Sequence, residues 1–303
     1  MHNLGKHKKY MPLYFMLLPG TLYLLINNYM PMAGIVVAFK NYNYQKGIFG
    51  SDWNGIKNFK FLFKTKDAFT ITRNTICYNL AFILVGTVLA ITVAILLSEL
   101  KARIAKKIYQ TVILLPFMIS IVVVSYIVYG LLSSEYGMLN HILRDLGKDR
   151  ISWYSAPKYW PVILIVVNQW KNLGYNTVLY YATLMGIDTS YYEAAVVDGA
   201  SRWQRIRYIT IPSLLPTVSI LTLMSISKIF YSDFGLFYQV PMNSGPLIDV
   251  TNTIDTYVYR GLIETSNIGM SAAAGVYQSV VGFILVLGAN WLVGRFDQDS
   301  TLF

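Results

Sequence analysis

The chain has 303 residues, 55% hydrophobic, 15% aromatic and only 13% charged, with 25 Lys plus Arg against 15 Asp plus Glu. Soluble domains carry about twice that share of charge, and the polar residues here fall in short stretches between long apolar blocks, which predicts an all-α membrane protein. The +10 charge is explained by juxtamembrane Lys and Arg and not by a nucleic-acid surface, Cys77 alone excludes an internal disulfide, and His2, His7 and His141 lack metal-ligand spacing.

About 20 apolar residues cross the hydrocarbon, and an ionisable group at its centre costs several kcal/mol, so charge-free runs act as a ruler. Helices are predicted at about 12–39, 74–98, 108–134, 159–187, 208–230 and 271–294, six spans in a single domain covering 1–303. Lys6, Lys8 and Lys9 precede the first run in the manner of a signal peptide. The run from Tyr10 to Phe39 is too long for such a core and no small-x-small site closes it, so a retained helix is expected. The fourth block is interrupted only by Lys171 and counts as one helix with a buried lysine. Longer loops are expected at 40–73, 135–158 and 229–270. The basic N-terminus and the dense Lys101, Arg103, Lys106 and Lys107 favour cytoplasmic N- and C-termini and cytoplasmic loops at 99–107 and 188–207.

The segment 188–212 is the most informative. Ser190-x-x-Glu193 has the spacing of a capping box and predicts a short helix, with Asp188 and Glu193 favourable near its positive end. Gly199 is placed to end it through a left-handed backbone. Ala194 and Ala195 leave low relief for close approach by another protein, whereas Arg202, Trp203 and Arg205 make the second half aromatic and cationic. Pro212 suits the first turn of the next membrane helix.

Glu193, Ala194, Ala195, Gly199, Ile209 and Pro212 stand at the spacing of the Glu-Ala-Ala, three residues, Gly, nine residues, Ile-x-Leu-Pro motif, with Ile211 in place of Leu. The segment resembles the cytoplasmic coupling loop of ABC importer permeases. The resemblance continues through Lys57-Asn58-Phe59, Phe69, Asn74-Thr75, the run Asp255 to Gly261 and the stretch Gln278 to Asn290, and so covers nearly the whole chain from Tyr10 to Arg295. It is strongest to maltose-type sugar permeases of bacterial importers. That likeness implies the type I importer permease fold, with the loop between helices four and five. It also implies a bacterial inner-membrane location, a second non-identical permease, a cytoplasmic ATPase dimer, an extracellular solute-binding protein and an oligosaccharide cargo. Glu193, Ala194, Ala195, Asp198, Gly199, Ala200, Arg202, Trp203, Ile209 and Pro212 would then form the ATPase-coupling surface, two short helices joined at Gly199 and seated in an ATPase cleft. ATP and Mg would belong to that partner, and this chain would bind no cofactor. Gly50-x-x-x-x-Gly55 continues with Ile56-Lys57 and is not a phosphate loop.

For the solute path, Asn168, Lys171, Asn172, Tyr175 and Asn176 share one face of helix four at 3, 4, 7, 8 spacing. Amides and tyrosine suit sugar hydroxyls and ring faces, and the same groups would equally serve hydrogen bonds to a partner permease. Lys171 either attracts an acidic sugar or pairs with Asp233 or an acid of the second subunit. Lys228, Tyr231 and Tyr277 complete the expected path, with Ser225, Ser227, Asp233 and Gln278 weaker. The spacing of the coupling loop leaves another cargo open, such as a peptide or a polyamine. A self-sufficient transporter or membrane enzyme would need paired intramembrane acids or a nucleophile and base, and none is evident.

Overall fold

The structure, a computed structural model, describes residues 10–295. Lys6, Lys8, Lys9, His2 and His7 lie outside the described residues. Where the sequence predicts one domain, the chain divides into two compact units: residues up to Thr65 with Val258–Tyr277, and Lys66–Tyr257 with the chain from Gln278 onward.

The first unit opens with the helical rod Met11–Phe39 (α1). Every residue from Tyr10 to Ala33 is exposed, and an apolar exterior on all sides fits a membrane span or a partner-covered helix, not water. Within α1 one wide π turn, Leu25–Tyr29, ends two residues before Pro31. A hairpin follows, β1 (Lys40–Asn41) and β2 (Asp52–Trp53), antiparallel with Lys40 opposite Trp53 and Asn41 opposite Asp52. Its buried Lys40 is satisfied by donating to the Phe49 carbonyl at 2.7 Å. The helix Lys57–Lys64 (α2) is tied back by Asn58, whose Nδ2 donates to the carbonyls of Ala38 at 2.9 Å and Lys40 at 3.0 Å.

The second unit contains Asp67–Ser98 (α3), Arg103–Met118 (α4), Ile121–Leu132 (α5), Met138–Asp145 (α6), Trp160–Met185 (α7), Thr189–Val197 (α8) and Arg202–Ile226 (α9). Ile254–Ile263 (α10) and Ile268–Gly294 (α11) contribute residues to both units. α7 packs along α3 and α4. A Cβ at Gly174 would strike the backbone carbonyl of Ile113, so only glycine lets α7 approach α4 this closely. One buried cluster joins Tyr78, Val124, Val128, Trp160, Leu164, Phe237 and Val240; another joins Ala90, Ala94, Tyr180, Leu184 and Leu214.

Two expectations need correction. The run 108–134 is not one helix: α4 and α5 meet at a 96° bend. Ile119 and Ser120 are both extended there, and the Ser120 hydroxyl accepts the Val123 N–H as the new N-cap. The stretch 229–270 is not simply an outer loop, because Phe230, Leu236, Phe237, Val240 and Leu247 within it are almost fully buried. Among the described residues, four helices are long and apolar enough by length and composition to cross a membrane, or five if α4 and α5 form one broken span. α7 has the length, at 26 residues, but Asn168, Gln169, Lys171, Asn172 and Asn176 dilute its apolar character.

Candidate functional site

Residues 188–212 fold as two helical arms joined at Gly199. Asp188 is the N-cap of α8, its Oδ1 accepting the Ser190 N–H at 2.9 Å. That backbone hydrogen bond, with help from the Ser190 side chain, holds the Asp188 carboxyl below its ordinary value. Because a lowered carboxyl is favoured in its charged form, the cap holds above the usual carboxylate range and is lost only as pH falls through the lowered value. The predicted Ser190–Glu193 capping box does not form, because Asp188 takes the cap two positions upstream and draws Ser190 into the first turn.

The arm ends in a Schellman motif: Ala200 N–H donates to Ala195 O at 2.8 Å and Gly199 N–H to Val196 O at 3.0 Å. Gly199 has φ +79°, as predicted. A reciprocal capping box does occur, at the start of the second arm, where Gln204 N–H donates to Ser201 Oγ at 3.4 Å and Ser201 N–H to Gln204 Oε1 at 2.7 Å. The membrane helix therefore begins at Arg202 and not at Pro212. Its path includes a π turn, Ile206–Thr210, that ends two residues before Pro212. Proline cannot donate to the carbonyl four residues back and its ring crowds it; the wider turn absorbs that clash.

Two side-chain links fasten the arms. The Tyr192 and Thr210 hydroxyls lie 3.0 Å apart, joining α8 to α9. Arg202 Nε sits 2.9 Å from Glu99 Oε2, at the end of α3. Glu193, Ala194, Asp198 and Pro212 are exposed, and Ala195, Ala200 and Ile209 half-buried. Val197 at 87% and Trp203 at 76% exposure, with Tyr191 and Val196, are large apolar side chains left exposed on the two arms.

Deeper in the second unit, α3, α7, α9 and the α4–α5 break enclose an open cavity of about 590 Å³. Asn168, Asn172, Tyr175 and Asn176 line it from α7, Asn79 from α3, and Lys228, Tyr231 and Asp233 from the turn after α9. Phe117, at the break, stacks on Tyr175 with centroids 4.8 Å apart and rings 14° from parallel, presenting aromatic surface to the cavity. The predicted α7 stripe thus faces one space, except for Lys171. Lys171 Nζ donates to the carbonyls of Ile119 at 2.6 Å and Phe117 at 3.3 Å. It satisfies carbonyls freed at the end of α4, where the helix dipole favours a cation. No Lys171–Asp233 ion pair is present among the described residues. Tyr277 belongs to the first unit, its ring edge-on to Phe63 at 5.2 Å.

Of the residues that shape the turn after α9, sequence reasoning named Gln278 only as a weaker candidate for the path and missed the role of Asn79, Ser232 and Asp255. Asn79 Nδ2 donates to Ile229 O at 2.9 Å and to Tyr231 O at 2.8 Å, and Gln278 Nε2 donates to Phe230 O at 2.9 Å. Ser232 N–H and Oγ–H each donate to Asp255 Oδ2 at 2.7 Å. Three successive carbonyls that no helix satisfies therefore find side-chain donors. An amide such as Asn79 inside a charge-free run was the available signal.

A family model described as "Binding-protein-dependent transport system inner membrane component" matches residues 86–298. The chain is 33% identical over 288 residues to Protein LplB of Bacillus subtilis (strain 168), covering 95% of this chain and 90% of that one. It is 31% identical to the polygalacturonan/rhamnogalacturonan transport system permease protein YteP of the same organism, covering 95% and 89%. Among solved structures it is similar to a bacterial ABC transporter involved in the import of the acidic polysaccharide alginate, with TM-score 0.88, 31% identity and coverage of 97% and 99%. A second structure, of the alginate transporter in complex with alginate pentasaccharide-bound periplasmic protein, gives TM-score 0.87, 31% identity and 98% of each chain. The chain belongs to the family of inner membrane components of binding-protein-dependent transport systems. It is a multi-pass membrane permease of the ABC importer class.

Proposed function

We propose that this chain forms half of the translocation path of an ATP-driven importer for an oligosaccharide, paired with a second, homologous permease. An extracellular binding protein would deliver the sugar and a separate cytoplasmic ATPase dimer would supply the energy, with ATP and Mg held by that dimer. The observation that carries the reading is the Gly199-hinged pair of arms, with its exposed apolar side chains and its link to α3, whose own residues line the polar cavity. Closure of the ATPase would push on the arms, and α9 together with the Arg202–Glu99 contact would pass the push to the cavity walls as rigid-body motion. The saccharide cargoes named for the relatives, and the amide and aromatic lining, support sugar over peptide or polyamine. Six spans, with α4–α5 as one broken crossing and α7 as another, and cytoplasmic N- and C-termini complete the proposed topology. α7 would cross because its polar face turns to a cavity and not to lipid.

The test is uptake of labelled oligosaccharides, a peptide and a polyamine by cells with and without the gene. Loss confined to an oligosaccharide is expected; loss confined to a peptide or polyamine would overturn the cargo.

A further inference from the structure

The lining of the cavity includes two charged side chains, Lys228 and Asp233, whose situations differ. Asp233 is engaged, its Oδ1 accepting the Leu236 N–H at 3.1 Å as the cap of the next helical turn. Lys228 is exposed to the cavity, and no carboxylate lies within ion-pair distance of it among the described residues. An unpaired ammonium at the end of an apolar helix is costly unless it serves a ligand or reaches water.

The backbone that carries it is built rather than frayed. α9 stops at Ile226, and the following carbonyls, Ile229, Phe230 and Tyr231, are taken by Asn79 and Gln278. Asp255 Oδ2 fixes Ser232 from the other side, and Gln278 Nε2 also donates to that oxygen at 3.1 Å. These bonds hold the chain unwound where a continuing helix would carry Lys228 onward along its own axis. Non-helical backbone whose polar groups are satisfied by side chains, and which lines a cavity, is the form of irregular chain that membrane transport proteins use at binding sites.

We propose that the Ser227–Asp233 turn is the charge-selecting element of the cavity, with Lys228 binding a carboxylate of the solute and Asn79, Gln278 and Asp255 acting as positioning residues. The substrate class is then an oligosaccharide bearing uronate groups. The inference rests on the oligosaccharide reading above and narrows it. Lys171, committed to the end of α4, takes no part. Tyr231, beside Lys228 on the cavity wall, offers a ring face for the sugar.

The experiment compares a uronate oligosaccharide with its carboxyl-reduced, neutral counterpart in cells carrying the complete transporter with wild-type, Lys228→Met or Lys228→Arg permease. The binding protein is the same in every strain, so its preference cancels when the ratio of the two uptake efficiencies is compared between strains. Lys228→Met is expected to lower the uronate-to-neutral ratio by at least about tenfold, the size of one charge-assisted hydrogen bond, mainly through KM, with Lys228→Arg restoring it and equal amounts of complex in the membrane. An unchanged ratio in Lys228→Met, or equal loss of both sugars, overturns the proposal. Failure of the wild-type transporter to move either sugar would instead remove the oligosaccharide reading, and this inference with it.

Discussion

Gly199 takes φ +79°, and a Cβ built there meets nothing within 4 Å. The requirement for glycine is therefore conformational and not steric: a β-branched residue would hold the left-handed backbone at a cost of about 1–3 kcal/mol, whereas asparagine tolerates it far better. Gly199→Val is expected to abolish sugar uptake while the protein still accumulates in the membrane, and Gly199→Asn to retain much of the activity, as read by uptake alongside membrane immunoblots. Normal uptake by Gly199→Val would remove the hinge from the account. This glycine was legible in the sequence because a positive φ has so few tenants. The cap was not, since Ser190 and Glu193 have the right spacing but Asp188 reaches the free N–H groups first. Lys171 shows the same limit. Its charge was conspicuous, but backbone carbonyls, which no sequence pattern advertises, turned out to be its partners.

At the scale of elements, proline explains much of what periodicity could not. The wide turns Leu25–Tyr29, Ile206–Thr210 and Gly235–Gln239 each end two residues before a proline, Pro31, Pro212 and Pro241. At Pro31 and Pro212 the bulge lets the helix continue past a residue that would otherwise break it, whereas the chain at Pro241 passes into a turn; this is why α9 starts at Arg202 and couples the second arm directly to the cavity wall. The α4–α5 break was hidden for a different reason: the run is charge-free throughout, and hydropathy cannot register a change of direction. Lys171 closes the carbonyl end of that break. Lys171→Met should lower the stability of the purified complex by about 1–2 kcal/mol, the worth of a charged hydrogen-bond donor, and Lys171→Arg should recover part of it. Thermal unfolding of the three complexes in detergent measures this, and an unshifted midpoint for Lys171→Met would contradict the capping role.

At the scale of the whole molecule, composition and charge-free runs were enough for the all-α membrane class, and a single loop spacing for the transporter family, because both depend on the chain alone. The cavity was only half legible. The α7 stripe Asn168, Asn172, Tyr175 and Asn176 follows from helical period, but the facing wall is made by a turn at 227–233 whose amide donors, Asn79 and Gln278, are distant in sequence. Burial of Phe237 and Val240 within a presumed outer loop was likewise a tertiary effect. The central claim is that this permease moves an oligosaccharide under the drive of a separate ATPase. The direct measurement is accumulation of labelled oligosaccharide in vesicles containing both permeases, with the ATPase and the binding protein added or withheld. The account predicts accumulation above the outside concentration only when ATPase, ATP and binding protein are all present. Accumulation driven by an ion gradient with the ATPase omitted would contradict it.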